Sequence, residues 1–200
     1  MLMGQRGKSA AFMPNKYVFP GGAVDAADAD IPLAGLPSAQ CMDRLTLQSG
    51  PVPPVGIVAA AIRELWEETG LILGKAGSWP RLVPADWREF AELGYRPDAS
   101  ALRFIFRAIT PPGAPRRFDA RFFLADADHL ANDPDDFTNA QDELSHLHWV
   151  PLAEARKLDL PFVTEVVLAE IAGLLRRGEP DDAIPFFDNT GPEGRLTRLA

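Results

Sequence analysis

The sequence predicts an α+β layered domain. Three observations carry this: two segments repeat apolar residues at helical spacing, several short runs are rich in β-branched and aromatic residues, and the two kinds do not alternate as regular βαβ units. A chain of 200 residues is long enough for one domain with insertions.

The elements follow in order. Leu2 and Met3 read as the tail of a strand whose earlier residues are absent. Tyr17, Val18 and Phe19 form a short β-prone run halted by Pro20-Gly21-Gly22. Residues 29 to 55 carry Pro32, Gly35, Pro37, Gly50, Pro51, Pro53 and Pro54 and read as an irregular connection, long enough to be an insertion. Residues 56 to 69 read as a helix, with Val58, Ile62, Leu65 and Thr69 on one face and Gly70 at the position of a left-handed C-terminal cap. Residues 74 to 100 form a second variable segment with a short helix over 85 to 93. Strands are expected over 102 to 109, 117 to 124 and 144 to 150. Residues 162 to 177 form an amphipathic helix, with Val163, Val166, Val167, Ile171, Leu174 and Leu175 giving the period and Arg176 and Arg177 in the last turn.

Composition narrows the partners. A formal net charge of -8 disfavours broad contact with nucleic-acid backbones or anionic membranes. It leaves room for a small phosphate ligand, because a metal and a few Arg reverse the local field. Cys41 is the only cysteine, so neither an internal disulfide nor a multi-Cys zinc site is available, which suits a reducing cytoplasm. No apolar run approaches the ~20 residues that span a bilayer, and the apolar part of the N-terminus is too short for a signal peptide.

The chemistry concentrates in Arg63-Glu64-Leu65-Trp66-Glu67-Glu68-Thr69-Gly70-Leu71. At helical spacing Glu64, Glu67 and Glu68 fall within about 100° of one face, roughly opposite the apolar stripe. Such a face is ordinarily just solvated. Two details argue otherwise. Glu64 and Glu68 are a like-charge i, i+4 pair, costing about 0.2–0.5 kcal/mol. Glu67 and Glu68 also stand at the negative end of the helix dipole, costing about 0.3–1 kcal/mol. A hard divalent cation offsets both penalties and matches an all-oxygen cluster. Arg63, one turn before Glu67, can hold a carboxylate through its fork.

This segment resembles the second half of the Nudix box, Arg-Glu-hydrophobic-x-Glu-Glu-x-Gly-hydrophobic, at every fixed position. In the first half, Phe19-Pro20-Gly21-Gly22 supplies the Gly, as Gly22, and Asp28 stands where Glu is usual. Here 34 residues separate Asp28 from Arg63, far more than in the family, so the insertion at about 29 to 55 interrupts the box. The resemblance implies the Nudix fold, a mixed β-sheet sandwiched between α-helices (α/β/α). It also implies Mg²⁺ or Mn²⁺ held by Glu64, Glu67, Glu68 and the carbonyl of Gly22. The insertion, the 18 to 28 segment and Arg117-Phe118-Asp119-Ala120-Arg121-Phe122-Phe123 resemble the branch that includes peroxisomal acyl-CoA diphosphatases.

The expected activity is metal-dependent hydrolysis of the diphosphate linkage in a nucleoside diphosphate joined to another moiety, CoA or acyl-CoA first and ADP-ribose or a dinucleotide second. Glu67, Glu68, Arg63 and Glu143 are the expected catalytic residues, with Glu143 the candidate base just before the 144 to 150 strand. Arg117, Arg121 and Gly21 are the expected substrate contacts. Trp79 and Trp87 could stack on a base, though packing is the plainer role. A non-catalytic ligand sensor on the same fold is the rival class, and retention of all three box glutamates argues against it. The partner is a small molecule, and a homodimer is left open.

Overall fold

The computed structural model describes residues 1–8, 10, 13–178, 182–191 and 193–200. Short 3-10 turns aside, the elements are strands β1 (Leu2–Arg6) and β2 (Tyr17–Val18), helices α1 (Ala39–Thr46) and α2 (Pro54–Thr69), strand β3 (Gly74–Ala76), helix α3 (Arg88–Glu92), strands β4 (Tyr95–Pro97), β5 (Arg103–Ile109), β6 (Asp119–Leu124) and β7 (Leu144–Trp149), helices α4 (Leu152–Ala155) and α5 (Phe162–Arg177), and strands β8 (Ile184–Asp188) and β9 (Arg195–Leu199). Among the described residues, no helix is long and apolar enough to cross a membrane.

Pairing is shared among three sheets, ordered β2-β1-β7, β3-β4 and β6-β5-β8-β9. The last is mixed: β5 and β8 run parallel, and its other pairs are antiparallel. One of its faces packs Phe104, Ile184 and Phe186 against Ile57, Val58 and Ile62 of α2. The other packs Ile105, Phe106 and Ala108 against Val167 and Ile171 of α5. The sheet therefore lies between helices, the expected α+β, α/β/α arrangement. Each fully buried aliphatic chain contributes about 1.5–3 kcal/mol of transfer free energy.

Helix α2 starts two residues earlier than its apolar pattern indicated. Pro54 occupies its first turn, where a missing N–H costs nothing. Gly70, at φ 72°, ends it, its N–H bonding the Trp66 carbonyl at 2.7 Å. Helix α5 has the predicted bounds and the same closure by Gly178, at φ 75°.

The insertion corrects the sequence expectation. Residues 29 to 55 are not an irregular connection: they contain α1, capped by the Ser38 hydroxyl, which accepts the Cys41 N–H at 3.2 Å. Ile31, Cys41 and Leu45 bury into the main core. The Pro and Gly flanks masked an eight-residue helix whose Ser N-cap was its one local signal. Strands β8 and β9, past the last predicted helix, were also illegible, because Pro185 argues against a strand until a partner is known. Trp87 is 1% exposed and packs edge-on against Phe90, so its role is packing.

Candidate functional site

The site is built around one arginine. Arg63 is 5% exposed on α2, and all five of its N–H groups are engaged. Its Nε and Nη2 donate to the two oxygens of Asp28, each at 3.0 Å. Nη2 also donates to the Ala23 carbonyl at 2.8 Å. Nη1 donates to Glu64 and to Glu67, each at 2.9 Å. Burial opposes the guanidinium charge, but Asp28, Glu64 and Glu67 outweigh it and hold the proton more firmly than usual.

Asp28 is 1% exposed and closes a 3-10 turn by accepting the Asp25 N–H at 2.8 Å. It belongs fully to the site, which sequence spacing hid. The chain leaves after Asp28, forms the insertion, and returns at α2, so 34 intervening residues do not separate the pair in space.

Glu68 is 2% exposed, not on an open face as the helical wheel placed it. Its Oε2 accepts the Gly21 N–H at 2.6 Å. Burial first, and the neighbouring Glu143 and Glu64 charges next, push its carboxyl up to about 8, while the Gly21 N–H and Arg6 pull the other way. Glu64 and Glu67 are also raised, chiefly by burial, with Arg63 opposing.

The two glycines have distinct roles. Gly21 adopts φ 151°, a conformation that residues with a Cβ rarely enter. Its N–H, at a residue expected to lie against substrate, is occupied by Glu68. A Cβ on Gly22 would sit 2.3 Å from Glu64 Oε2 and displace that carboxylate.

Among the described residues, no three His, Cys, Asp or Glu side chains already form a metal cage. Arg63 draws Glu64 Oε1 and Glu67 Oε2 to one side, and Gly21 draws Glu68 Oε2 to the other. The donor set nevertheless fits a hard divalent cation. Three box carboxylates are gathered with one oxygen each outside these bonds, and the glycine cradle beside Glu64 has no room for a side chain.

The loop before β7 docks on the end of α2, where the Gln141 N–H bonds the Glu67 carbonyl at 2.8 Å. This brings Glu143 close enough for its charge to act on both Glu64 and Glu68. Arg6 of β1, absent from the sequence expectations, lies 3.7 Å from Glu143. Beside Glu67, Asp86, Arg88, Glu89 and Gln141 line a polar cleft between α2 and the 85 to 92 segment. Of the expected substrate contacts, Arg117 donates to the Thr110 and Asn189 carbonyls, and Arg121 to those of Asp119 and Ser49.

No family model matches the chain. A Caenorhabditis elegans protein bearing a nudix hydrolase name is 30% identical over 161 residues, covering 75% of this chain and 46% of the relative. Acyl-coenzyme A diphosphatase NUDT19 of Gallus gallus is 31% identical over 179 residues, covering 62% and 47%. The crystal structure of a NUDIX hydrolase from Alicyclobacillus acidocaldarius superposes with a TM-score of 0.64 at 25% identity, covering 90% of this chain and 88% of that one. The chain belongs to the Nudix hydrolase superfamily. It spans about half the length of the curated relatives it matches. The Nudix box is thus assembled across the insertion, with Asp28 in the position where the box usually carries Glu.

Proposed function

We propose that this chain hydrolyses the diphosphate linkage of a nucleoside diphosphate joined to a second moiety, using Mg²⁺ or Mn²⁺. The observation that carries this reading is the Arg63 hub, which gathers Glu64, Glu67 and Asp28 beside a buried Glu68. A surface acid cluster has no need of a nearly buried arginine with every donor committed. The CoA or acyl-CoA class comes first, supported by the interrupted box and by relatives named as acyl-CoA diphosphatases.

Glu64, Glu67, Glu68 and the Gly22 carbonyl would hold the cation. Once bound, a divalent cation stabilises charge developing on phosphate oxygens and acidifies water. The protein's own part is positional and protonic. Arg63 fixes Glu64 and Glu67 against their mutual repulsion. The Gly21 N–H fixes Glu68. Glu143, in electrostatic reach of Glu68, accepts the proton of the water that attacks phosphorus as the bridging P–O bond breaks.

The test is a panel of CoA, acyl-CoA, ADP-ribose and dinucleoside diphosphates with each cation, read by mass spectrometry of both products. Fastest cleavage of the CoA compounds is expected. Inactivity across the whole panel rejects the hydrolase reading.

A further inference from the structure

Arg63 and Arg6 both stand beside the box glutamates, and their bonding is opposite. Arg63 has every N–H engaged. Among the described residues, Arg6 has a side chain 25% exposed, a buried Nε with no hydrogen-bond partner, and one ion pair, Nη2 to Glu143 Oε1 at 3.7 Å. That distance is an ion pair, too long for a hydrogen bond.

The position of Arg6 is nonetheless rigid. Its backbone pairs with Leu144 of β7 on one side. On the other, its N–H bonds the Lys16 carbonyl at 2.9 Å and its carbonyl accepts the Asn15 N–H at 3.1 Å. A residue whose backbone is held by two neighbouring segments, yet whose guanidinium keeps a buried donor unpaired, leaves a hydrogen bond for a partner to complete.

The missing partner is an acceptor near the acids. Arg6 acts on Glu68 electrostatically, in opposition to Glu143 and Glu64, and it contacts Glu143 directly, so its charge stands beside the box acids. Arg63 is neutralised by Asp28, Glu64 and Glu67, and Arg88, in the cleft beside Glu67, shares that cleft with Asp86, Glu89 and Glu92. Arg96 also has a buried unpaired Nε, but its Nη2 donates to the Pro32 and Leu33 carbonyls, away from the box.

We propose that Arg6 is the phosphate-contacting residue of this site, exchanging its long contact with Glu143 for charge-assisted hydrogen bonds to a diphosphate oxygen. The exchange also frees the Glu143 carboxylate when substrate is present. This rests on the reading that the site takes a diphosphate, and it is tested by binding rather than turnover.

ADP in Mg²⁺ is titrated calorimetrically into wild type, Arg6→Ala, Arg6→Lys and, as a control at the exposed end of α5, Arg176→Ala. Arg6→Ala is expected to weaken ADP at least ~10-fold, as for loss of a charge-assisted bond. Arg6→Lys should recover part of that loss, and Arg176→Ala should stay within about twofold of wild type. Circular dichroism checks each fold, and Arg6→Gln, which keeps the stem, replaces any Arg6→Ala protein that does not fold. ADP binding within about twofold of wild type in the folded Arg6→Ala or Arg6→Gln protein overturns the assignment. Arg6-dependent ADP binding with no cleavage of any panel compound instead rejects the hydrolase reading and leaves Arg6 in place.

Discussion

Arg63 and Arg107 are the same device put to different ends. Both are almost fully buried, at 5% and 3% exposed, and both grip an aspartate with two donors, Asp28 for one and Asp119 for the other. Their remaining donors diverge. Arg107 donates to the Leu47 and Gln48 carbonyls, at 3.0 and 2.8 Å, and lies 4.5 Å over the Phe186 ring. Arg63 reaches two more carboxylates. Backbone carbonyls are neutral and fixed, so Arg107 clamps the end of the insertion onto the mixed sheet, and its aspartate, shared with Arg121, leaves no surplus of negative charge. Carboxylates bring charge, so Arg63 leaves a net negative cluster that another cation can complete. A buried arginine is structural or functional according to the charge of what it collects.

Changing each arginine breaks the comparison where it is strongest. Arg63→Met strands buried Asp28 and removes the tie between Glu64 and Glu67. It should cost about 3–5 kcal/mol in urea unfolding and weaken Mn²⁺ binding measured by calorimetry. Stability and Mn²⁺ affinity both equal to wild type would remove Arg63 from the centre of the site.

Glu68→Gln sharpens the functional half. The glutamine oxygen can still accept the Gly21 N–H, so the melting profile should persist. Turnover should fall on the order of 10²–10³-fold, the size of losing a group that acts in the reaction. Unchanged steady-state turnover would sink the role assigned to it.

Arg107→Met tests the structural half. Asp119 is partly open to water, so the expected loss is smaller, about 1–3 kcal/mol. Limited proteolysis should open the chain near residues 47 to 49, while Mn²⁺ affinity stays at the wild-type value. A matching loss of metal affinity would erase the distinction between the two hubs.

The smallest effect is pH-dependent. The folded state holds the Glu68 proton up to about 8, whereas an unfolded chain releases it in the ordinary glutamate range. Between those values the folded protein binds more protons, so its stability is fullest below the ordinary range and declines as pH rises through about 8. Glu64 and Glu67, also raised, act with the same sign. In a chelator the melting temperature should drop from pH 5.5 to 8.5, with a flatter profile in Glu68→Gln and in Mg²⁺. A chelated wild type that melts identically at both values would contradict this.

The two hubs also show what could be read in advance. Arg63, Glu64, Glu67 and Glu68 lie within six residues on one helix, so spacing alone assembled them. The bounds of α5 and the presence of β5, β6 and β7 were legible for the same reason, since periodicity and β-rich composition are local. Asp28 and Arg6 were not, because their partners lie 35 and 137 residues away. The main-chain carbonyls that Arg117 and Arg121 reach were likewise not legible, since they lie up to 72 residues away.

The sequence by itself determined the α+β class, the acidic helix and its closure at Gly70, each of which depends on residues within a few turns of one another. Tertiary structure decided that the insertion folds as a clamped helix, that Asp28 completes the Arg63 hub, that Glu68 is buried, and that Arg6 stands by the acids with a donor to spare. The physical reason is the same each time. Burial and hydrogen-bond satisfaction depend on which distant groups arrive, and local patterns carry no record of them.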